Sequence, residues 1–198
     1  RKEYSAGAVK LSFWFLEFKK TVELLATGTE MAEIRRQALE ENLYAAPSAD
    51  RAKQIFQTVS VRIQSLDASF YSIFQKGDIS TQKLLALTAV MVYDTLFFDF
   101  VYEVLREKMI IGSDEFSDKD IRIFFKDKQQ QNEKAAKWTE YTCKRLGRCY
   151  KTMLFEAGMT DKGKEIRKIK KPILEPELEQ WMMEHDLEPV IKALTGVR

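Results

Sequence analysis

The sequence predicts an all-α protein folded as a compact multi-helix bundle. Nearly every long segment repeats apolar residues at steps of three and four, no run alternates with period two before the neighbourhood of residues 164–171, and glycine is scarce, with eight in 198 residues. A chain of this length, 45% hydrophobic and 31% charged, can bury a core without disulfides or metal. Two lobes are expected, 1–78 and 79–198, as separate domains or as parts of one continuous domain. A short extended or wing-like segment is expected near 164–171.

Leu11, Trp14, Phe15, Phe18, Val22 and Leu25 make a first helix, which Gly28 ends. Thr29 offers an N-cap to a second helix through Met31, Ile34, Ala38 and Leu43, and residues 42–47 turn the chain. Ser48 caps a third helix carrying Ala52, Ile55, Phe56, Val59, Ile63 and Leu66. Arg51 and Arg62 lie three turns apart on one edge of it, suited to phosphate or to nearby acids. Asp67 caps a short helix through Phe70, Ile73 and Phe74, closed by Gly77.

Ser80 opens an apolar stretch, read as a helix to about Tyr93 and then a second helix or a kinked continuation to Met109. Residues 84–105 have nearly the length of a membrane span. They contain Asp94, Asp99 and Glu103, and an Asp near a bilayer centre costs roughly 2.5–3.5 kcal/mol. A core helix is the expectation, with no transmembrane segment. Residues 11–18 follow basic residues as a signal peptide would, but Glu17, Lys19 and Lys20 cut the apolar run short.

Residues 112–117 read as a polar loop, and Ser117 opens a helix with Ile121, Phe124 and Phe125 on its core face. After a polar break at 129–132, residues 132–157 read as one long helix ended by Gly158. Its apolar stripe is Ala135, Trp138, Thr142, Leu146, Cys149, Met153 and Ala157. Pro172 stops the extended tail, Pro176 begins a helix through Leu178, Trp181 and Met182, and residues 187–194 form the last helix.

Charge singles out one region. Residues 126–171 hold fourteen lysines and arginines against six acids, while the whole chain carries a net charge of only +2. Lys134, Lys137, Tyr141, Lys144, Arg148 and Lys151 follow helical spacing along one side of the 132–157 helix, with Arg145 beside them. Lys162, Lys164, Arg167, Lys168, Lys170 and Lys171 make a second basic run. Cations one turn apart suit a phosphate backbone, which releases condensed counterions when neutralised. An acidic protein groove, an anionic lipid or plain solvent would satisfy the helical row as well; the second run favours binding. Few Asn or Gln residues share the basic face, so phosphate contact without base readout is expected. The helix pair 29–42 and 48–66 has too long a connection for a helix-turn-helix.

Catalytic signals are weak. No Gly-rich phosphate loop, nucleophile elbow or deaminase signature occurs. Asp94, Asp99 and Glu103 cluster in sequence, but Arg106 follows closely and no Ser, Cys or His nucleophile is near, so capping and ion pairing are the expected roles. Cys143 and Cys149 project in different directions from one helix and read as reduced thiols of a cytoplasmic protein. The single histidine, His185, sits between two acids, and no Cys or His cluster has metal spacing. No catalytic residue, metal or cofactor is expected.

Asn42-Leu43-Tyr44 with Ser48 and Arg51, then Arg62 with Leu66, then the apolar double helix, then Trp138-Thr139 with Thr142 and Lys144, resemble the BrxA family of bacterial BREX phage-exclusion systems. The resemblance runs from about Tyr4 to Gly158 and rests on the order and spacing of short, non-catalytic motifs. It implies an all-α cytoplasmic protein similar in fold to the NusB-type antitermination factors, binding double-stranded DNA beside larger BREX components, with RNA a further candidate ligand. It supplies no catalytic residues. The alternative is an adaptor whose basic face docks an acidic protein partner of the same defence complex.

Overall fold

The computed structural model describes residues 1–198 and is helical nearly throughout. Two compact units make it up, one of Trp14–Tyr93 and one of Arg1–Phe13 together with Asp94–Arg198. The lobe boundary expected at Asp78 falls inside the first unit, because the helix after Asp78 packs on the three that line its core.

The first unit contains α1 (Phe15–Ala26), α2 (Met31–Glu40), α3 (Ala49–Gln64), α4 (Phe70–Lys76) and α5 (Ile79–Tyr93). α1 starts later than its apolar spacing suggested, since Trp14 takes a left-handed backbone with φ 52° that a helix cannot include. Phe18, Phe70 and Phe74 meet with ring centroids 5.8–6.4 Å apart, and α5 packs against α1, α3 and α4. Ser48 caps α3 as expected, its hydroxyl accepting the Arg51 N–H at 3.1 Å. Asp78 caps α5, accepting the Thr81 N–H at 2.8 Å. Residues 84–91 are all buried, and α5 ends where the Asp94 carboxylate accepts the Phe97 N–H at 3.0 Å. No single helix is long and apolar enough to cross a membrane.

The second unit contains a 3-10 turn at Gly7–Lys10, α6 (Thr95–Phe100), a π-helical turn Val101–Leu105, α7 (Arg106–Ile110), β1 (Glu115–Ser117), α8 (Asp118–Gln131), α9 (Glu133–Ala136), α10 (Glu140–Glu156), β2 (Ile166–Lys168), α11 (Pro176–Glu184) and α12 (Glu188–Thr195). Its core is aromatic. Tyr150 lies 5.0 Å from Phe97, 5.2 Å from Phe100 and 6.0 Å from Phe125, centroid to centroid, and Phe116 and Phe124 extend the cluster from Phe100.

The expected loop at 112–117 is in part a strand. Phe116 is buried against Phe100, which draws β1 inward, and β1 pairs antiparallel with β2 through Glu115–Lys168, Phe116–Arg167 and Ser117–Ile166. The extended segment expected near 164–171 is β2. Its partner strand comes from some fifty residues earlier, not from a local hairpin. Ser117 then caps α8 in a reciprocal box with Asp120.

The three carboxylates of the apolar stretch are structural ties. Asp94 is the α6 cap. Asp99 is buried and accepts from Arg1, from the Tyr4 hydroxyl and from Lys128 Nζ at 3.5 Å, while Glu103 takes the same ammonium at 2.7 Å. Burial alone would pull the Lys128 pKa down, but its bonds to Glu103 and Tyr4 and the charges of Glu103 and Asp99 outweigh that and hold it above the usual lysine value. A charge this enclosed is costly to orphan. We expect Lys128→Met to lower unfolding free energy by about 3 kcal/mol, near the low end for a broken buried pair because Arg1 and Tyr4 still reach Asp99. Adding Asp99→Asn should recover part of the loss in a denaturant double-mutant cycle; strictly additive losses would remove the pairing from the account.

Candidate nucleic-acid interface

The basic helix is two helices. Asn132 caps α9 by accepting the Ala135 N–H at 2.9 Å, the chain turns through Lys137 and Trp138, and Thr139 caps α10 by accepting the Thr142 N–H at 3.1 Å. The single helix expected over 132–157 breaks because the Thr139 hydroxyl offers that N–H a local partner with the backbone extended (ψ 161°). Trp138 is half-buried, its carbonyl accepting from Gln129 Nε2 at 3.0 Å.

The face that α10 buries is Cys143, Leu146, Gly147, Tyr150, Met153 and Leu154. Leu146 and Met153 of the predicted stripe lie on it, whereas Thr142 and Cys149 are half-buried at its edge. Gly147 sets the spacing to α8, since a Cβ there would stand 2.9 Å from Ile121 Cγ2. Tyr150, fully buried, fixes the helix against the aromatic core, and desolvation pushes its phenol pKa well up.

Opposite this face, Tyr141 (65% exposed), Lys144 and Arg148 stand in solvent. Lys134 on α9 and Lys137 beside it are also exposed. Arg145 is half-buried, its guanidinium 5.7 Å from the Tyr141 ring and Nη2 3.5 Å from the Val9 carbonyl. The ion pairs of this row, Lys144 with Glu140 at 3.7 Å and Lys134 with Glu3 at 3.6 Å, are long and solvent-exposed, so they hold these ammonium groups weakly. Arg148 makes no side-chain ion pair or hydrogen bond.

Lys151 and Arg167 have a different job. Lys151 Nζ pairs with Asp118 at 2.8 Å and donates to the Lys164 carbonyl at 2.9 Å, while Arg167 Nη1 donates to the carbonyls of Lys151 at 3.2 Å and Asp161 at 3.3 Å. Both cations fasten residues 160–169 to α10. Thr160 bridges to Ile169, and Asp161 Oδ1 accepts the N–H groups of Gly163 at 3.2 Å and Lys168 at 3.0 Å. A side chain at 163 would collide with the Ile166 carbonyl. Lys162 reaches the Phe155 ring at 5.8 Å, and Lys162, Lys164, Lys168, Lys170 and Lys171 are exposed. The second basic run therefore lies alongside the C-terminal half of α10.

Arg51 and Arg62 belong to the other unit. Arg51 lies 4.9 Å over the Trp14 ring and bonds Gln54. Arg62 is 3% exposed, which removes it from any interface as a surface cation. It sits at helical spacing from Ile55, Val59 and Leu66, on the face that packs. His185 stacks on Trp181 at 4.7 Å, with Nδ1 2.8 Å from the Trp181 carbonyl. No group of three His, Cys, Asp or Glu side chains is placed to hold a metal ion.

Sequence reasoning missed the α9–α10 break, the fastening roles of Lys151 and Arg167, and the burial of Lys128. The last was open to detection, since Lys128 continues the Ile121, Phe124, Phe125 spacing of α8.

The BrxA family model matches residues 2–186. The chain belongs to the BrxA family. The chain is 39% identical over 160 residues to the BREX protein BrxA of Bacillus cereus (strain H3081.97), covering 81% of this chain and 80% of that protein. It is 22% identical over 182 residues to the BREX protein BrxA of Escherichia coli O9:H4 (strain HS), covering 92% and 85%. The crystal structure of an uncharacterized protein from Magnetospirillum magneticum shares the fold with a TM-score of 0.80 at 18% identity, over 99% of this chain and 100% of that one. The family match includes α9, α10 and β2, so the basic helix and its fastened segment are part of what this chain aligns to the family.

Asp161 provides a pH-dependent test of the fastening. The N–H groups of Lys168 and Gly163 hold its carboxyl below the usual aspartate value. A depressed pKa contributes stability that is complete above the unfolded-state value and is lost as pH falls through the folded-state value. The amide resonances of Gly163 and Lys168 should therefore shift together with one midpoint below the ordinary aspartate value, and Asp161→Asn should abolish the transition. Separate midpoints would show that the carboxylate does not organise the turn.

Proposed function

We propose that this protein is a non-enzymatic accessory of a BREX-type phage-exclusion system that grips double-stranded DNA by its phosphates. The carrying observation is the exposed, weakly paired cation row of Lys134, Lys137, Lys144 and Arg148, continued by the exposed lysines of the segment fastened beside it. The relatives named BREX protein BrxA supply the setting. Other BREX components are the natural partners, in the cytoplasm where the DNA lies. The carboxylates that a hydrolytic reading would enlist are bound in a helix cap and in ion pairs, which supports a binding role over a catalytic one.

Phosphate contact makes a quantitative demand. If about six phosphates are engaged, the log of affinity for a B-form duplex should fall with the log of salt concentration at a slope near −5. Each contact removed should reduce that slope by about one. Fluorescence anisotropy with a labelled duplex, a single strand and an RNA hairpin, read at several salt concentrations, ranks the ligands. Lys134→Glu/Lys137→Glu/Lys144→Glu should abolish duplex binding at moderate salt without changing the thermal midpoint by more than a few degrees. A flat salt dependence, or a triple variant that binds as well as the parent, would reject the duplex interface. Pull-down of a BREX component lost in the same variant while duplex affinity persists would favour an adaptor that docks an acidic partner.

A further inference from the structure

Beside the cation row, Val9, Leu11, Ser12 and Phe13 border with α10 an open cleft of about 250 Å³. Phe13 and Met153 lie beneath it, each almost fully buried, while the half-buried Val9 and Leu11 give it one apolar wall among polar groups. Arg145 and Arg148, neighbours one helical turn apart, line it from α10. Arg145 is held there by the Val9 carbonyl and the Tyr141 ring, and Arg148 has no side-chain partner. The Cys149 thiol also lines the cleft, donating to the Ala8 carbonyl at 3.1 Å with the Leu11 carbonyl 3.6 Å away. A cleft with one apolar wall, bordered by two guanidinium groups, has the two halves of one ligand chemistry: a flat, weakly polar ring against the wall and a phosphate for the forks, which match its oxygens bidentately.

We infer that this cleft is a nucleotide site, taking a base in the recess and its phosphate on Arg145 and Arg148. The volume, about 250 Å³, is just below the roughly 300–1,000 Å³ of pockets that bury a whole drug-sized ligand, so it suits a single base with its phosphate at the rim. A base within an intact duplex is stacked and cannot enter, so the occupant is a free mononucleotide or an unpaired nucleotide at a strand end or junction. This deepens the phosphate-binding reading of α10 and rests on it for Arg148. It adds a dependence on an unpaired base that phosphate contacts alone cannot supply, because they carry no information about the base.

The test compares a blunt duplex with a duplex of equal phosphate number bearing a short single-stranded overhang that carries 2-aminopurine. The overhang should bind about fivefold more tightly, a difference of roughly 1 kcal/mol, with a change in 2-aminopurine emission. Thr152→Phe fills the cleft without altering charge, since Thr152 lines it and is exposed. That variant should bring the overhang duplex down to the affinity of the blunt one. A second readout needs no substitution in the cleft. In the parent chain, deoxyadenosine monophosphate should slow maleimide labelling of Cys149, followed by peptide mass spectrometry, whereas inorganic phosphate alone should not.

Cys149 protection without an overhang preference would assign the cleft to free nucleotides; an overhang preference lost in Thr152→Phe would assign it to unpaired strand ends. Equal affinity for both duplexes together with an unchanged Cys149 rate would overturn the proposal. Failure of the blunt duplex to bind at any salt concentration, with Cys149 still protected by the mononucleotide, would instead reject the duplex reading and uphold the cleft.

Discussion

The close packing of α10 on α8 and on the aromatic core is the constraint on which the surface of the second unit depends. A helix with cations along one side is held in place only if its other side has somewhere definite to go. Here Gly147 allows α10 to approach Ile121 where any side chain would press against it, and Tyr150 enters a ring cluster of Phe97, Phe100 and Phe125. Aromatic pairs of this kind add about 0.5–1.5 kcal/mol each beyond area burial and have preferred geometries, so they fix rotation as well as depth. The orientation of Tyr141, Lys144 and Arg148 toward solvent follows from that fixed rotation. The same packing sets the recess against Val9–Phe13, because Met153 belongs to the buried face and Arg148 to the exposed one.

Charge in this protein divides into two populations that composition cannot separate. Lys128, Lys151 and Arg167 are engaged with Asp99, Glu103, Asp118 and backbone carbonyls, and they hold elements together. Lys137, Arg148, Lys168, Lys170 and Lys171 stand exposed, as do Lys144 and Lys134 with their long, screened pairings. Only the second population can exchange solvent counterions for phosphate, so the effective charge of the interface is smaller than the excess counted along residues 126–171. In the proposed duplex contact the engaged cations would have a part as well. By tying residues 160–169 to α10, Lys151 and Arg167 reduce the ordering that the lysines of that segment would otherwise undergo on association.

Much of the helical architecture was legible because it depends on local periodicity and capping. Ser48, Ser117 and Gly77 end or begin helices where the sequence puts them, and the break at Asp94 follows from a side chain that can satisfy the Phe97 N–H. The missed features depend on distant partners or on competition between local alternatives. Nothing near Phe116 announces a strand, since its pairing partner is Arg167. Thr139 reads equally as a helical residue or a cap, and its hydroxyl decides for the cap. Arg62 and Lys128 differ from these cases: each continues a three-four apolar spacing with the residues around it, so their burial was written in the pattern despite their charge.

The geometry of the row limits how the interface can be used. From Lys144 to Arg148 the helix rises only about 6 Å, the axial distance of roughly two phosphates on one strand of B-DNA. Two side chains on α10 therefore cannot account for a strongly salt-dependent grip. Lys134 and Lys137 extend the row past the Thr139 break, and the segment from Lys162 to Lys171 extends it at the other end, so both flanks are needed to engage as many as six phosphates. The break at residues 137–139 has a consequence here. A continuous straight helix touches a curved backbone along only a short length, whereas the break between α9 and α10 puts the two groups of cations on separate elements. In the proposed duplex contact, engagement of this kind would follow the path of the backbone rather than its sequence, in keeping with the few amide side chains on the basic face.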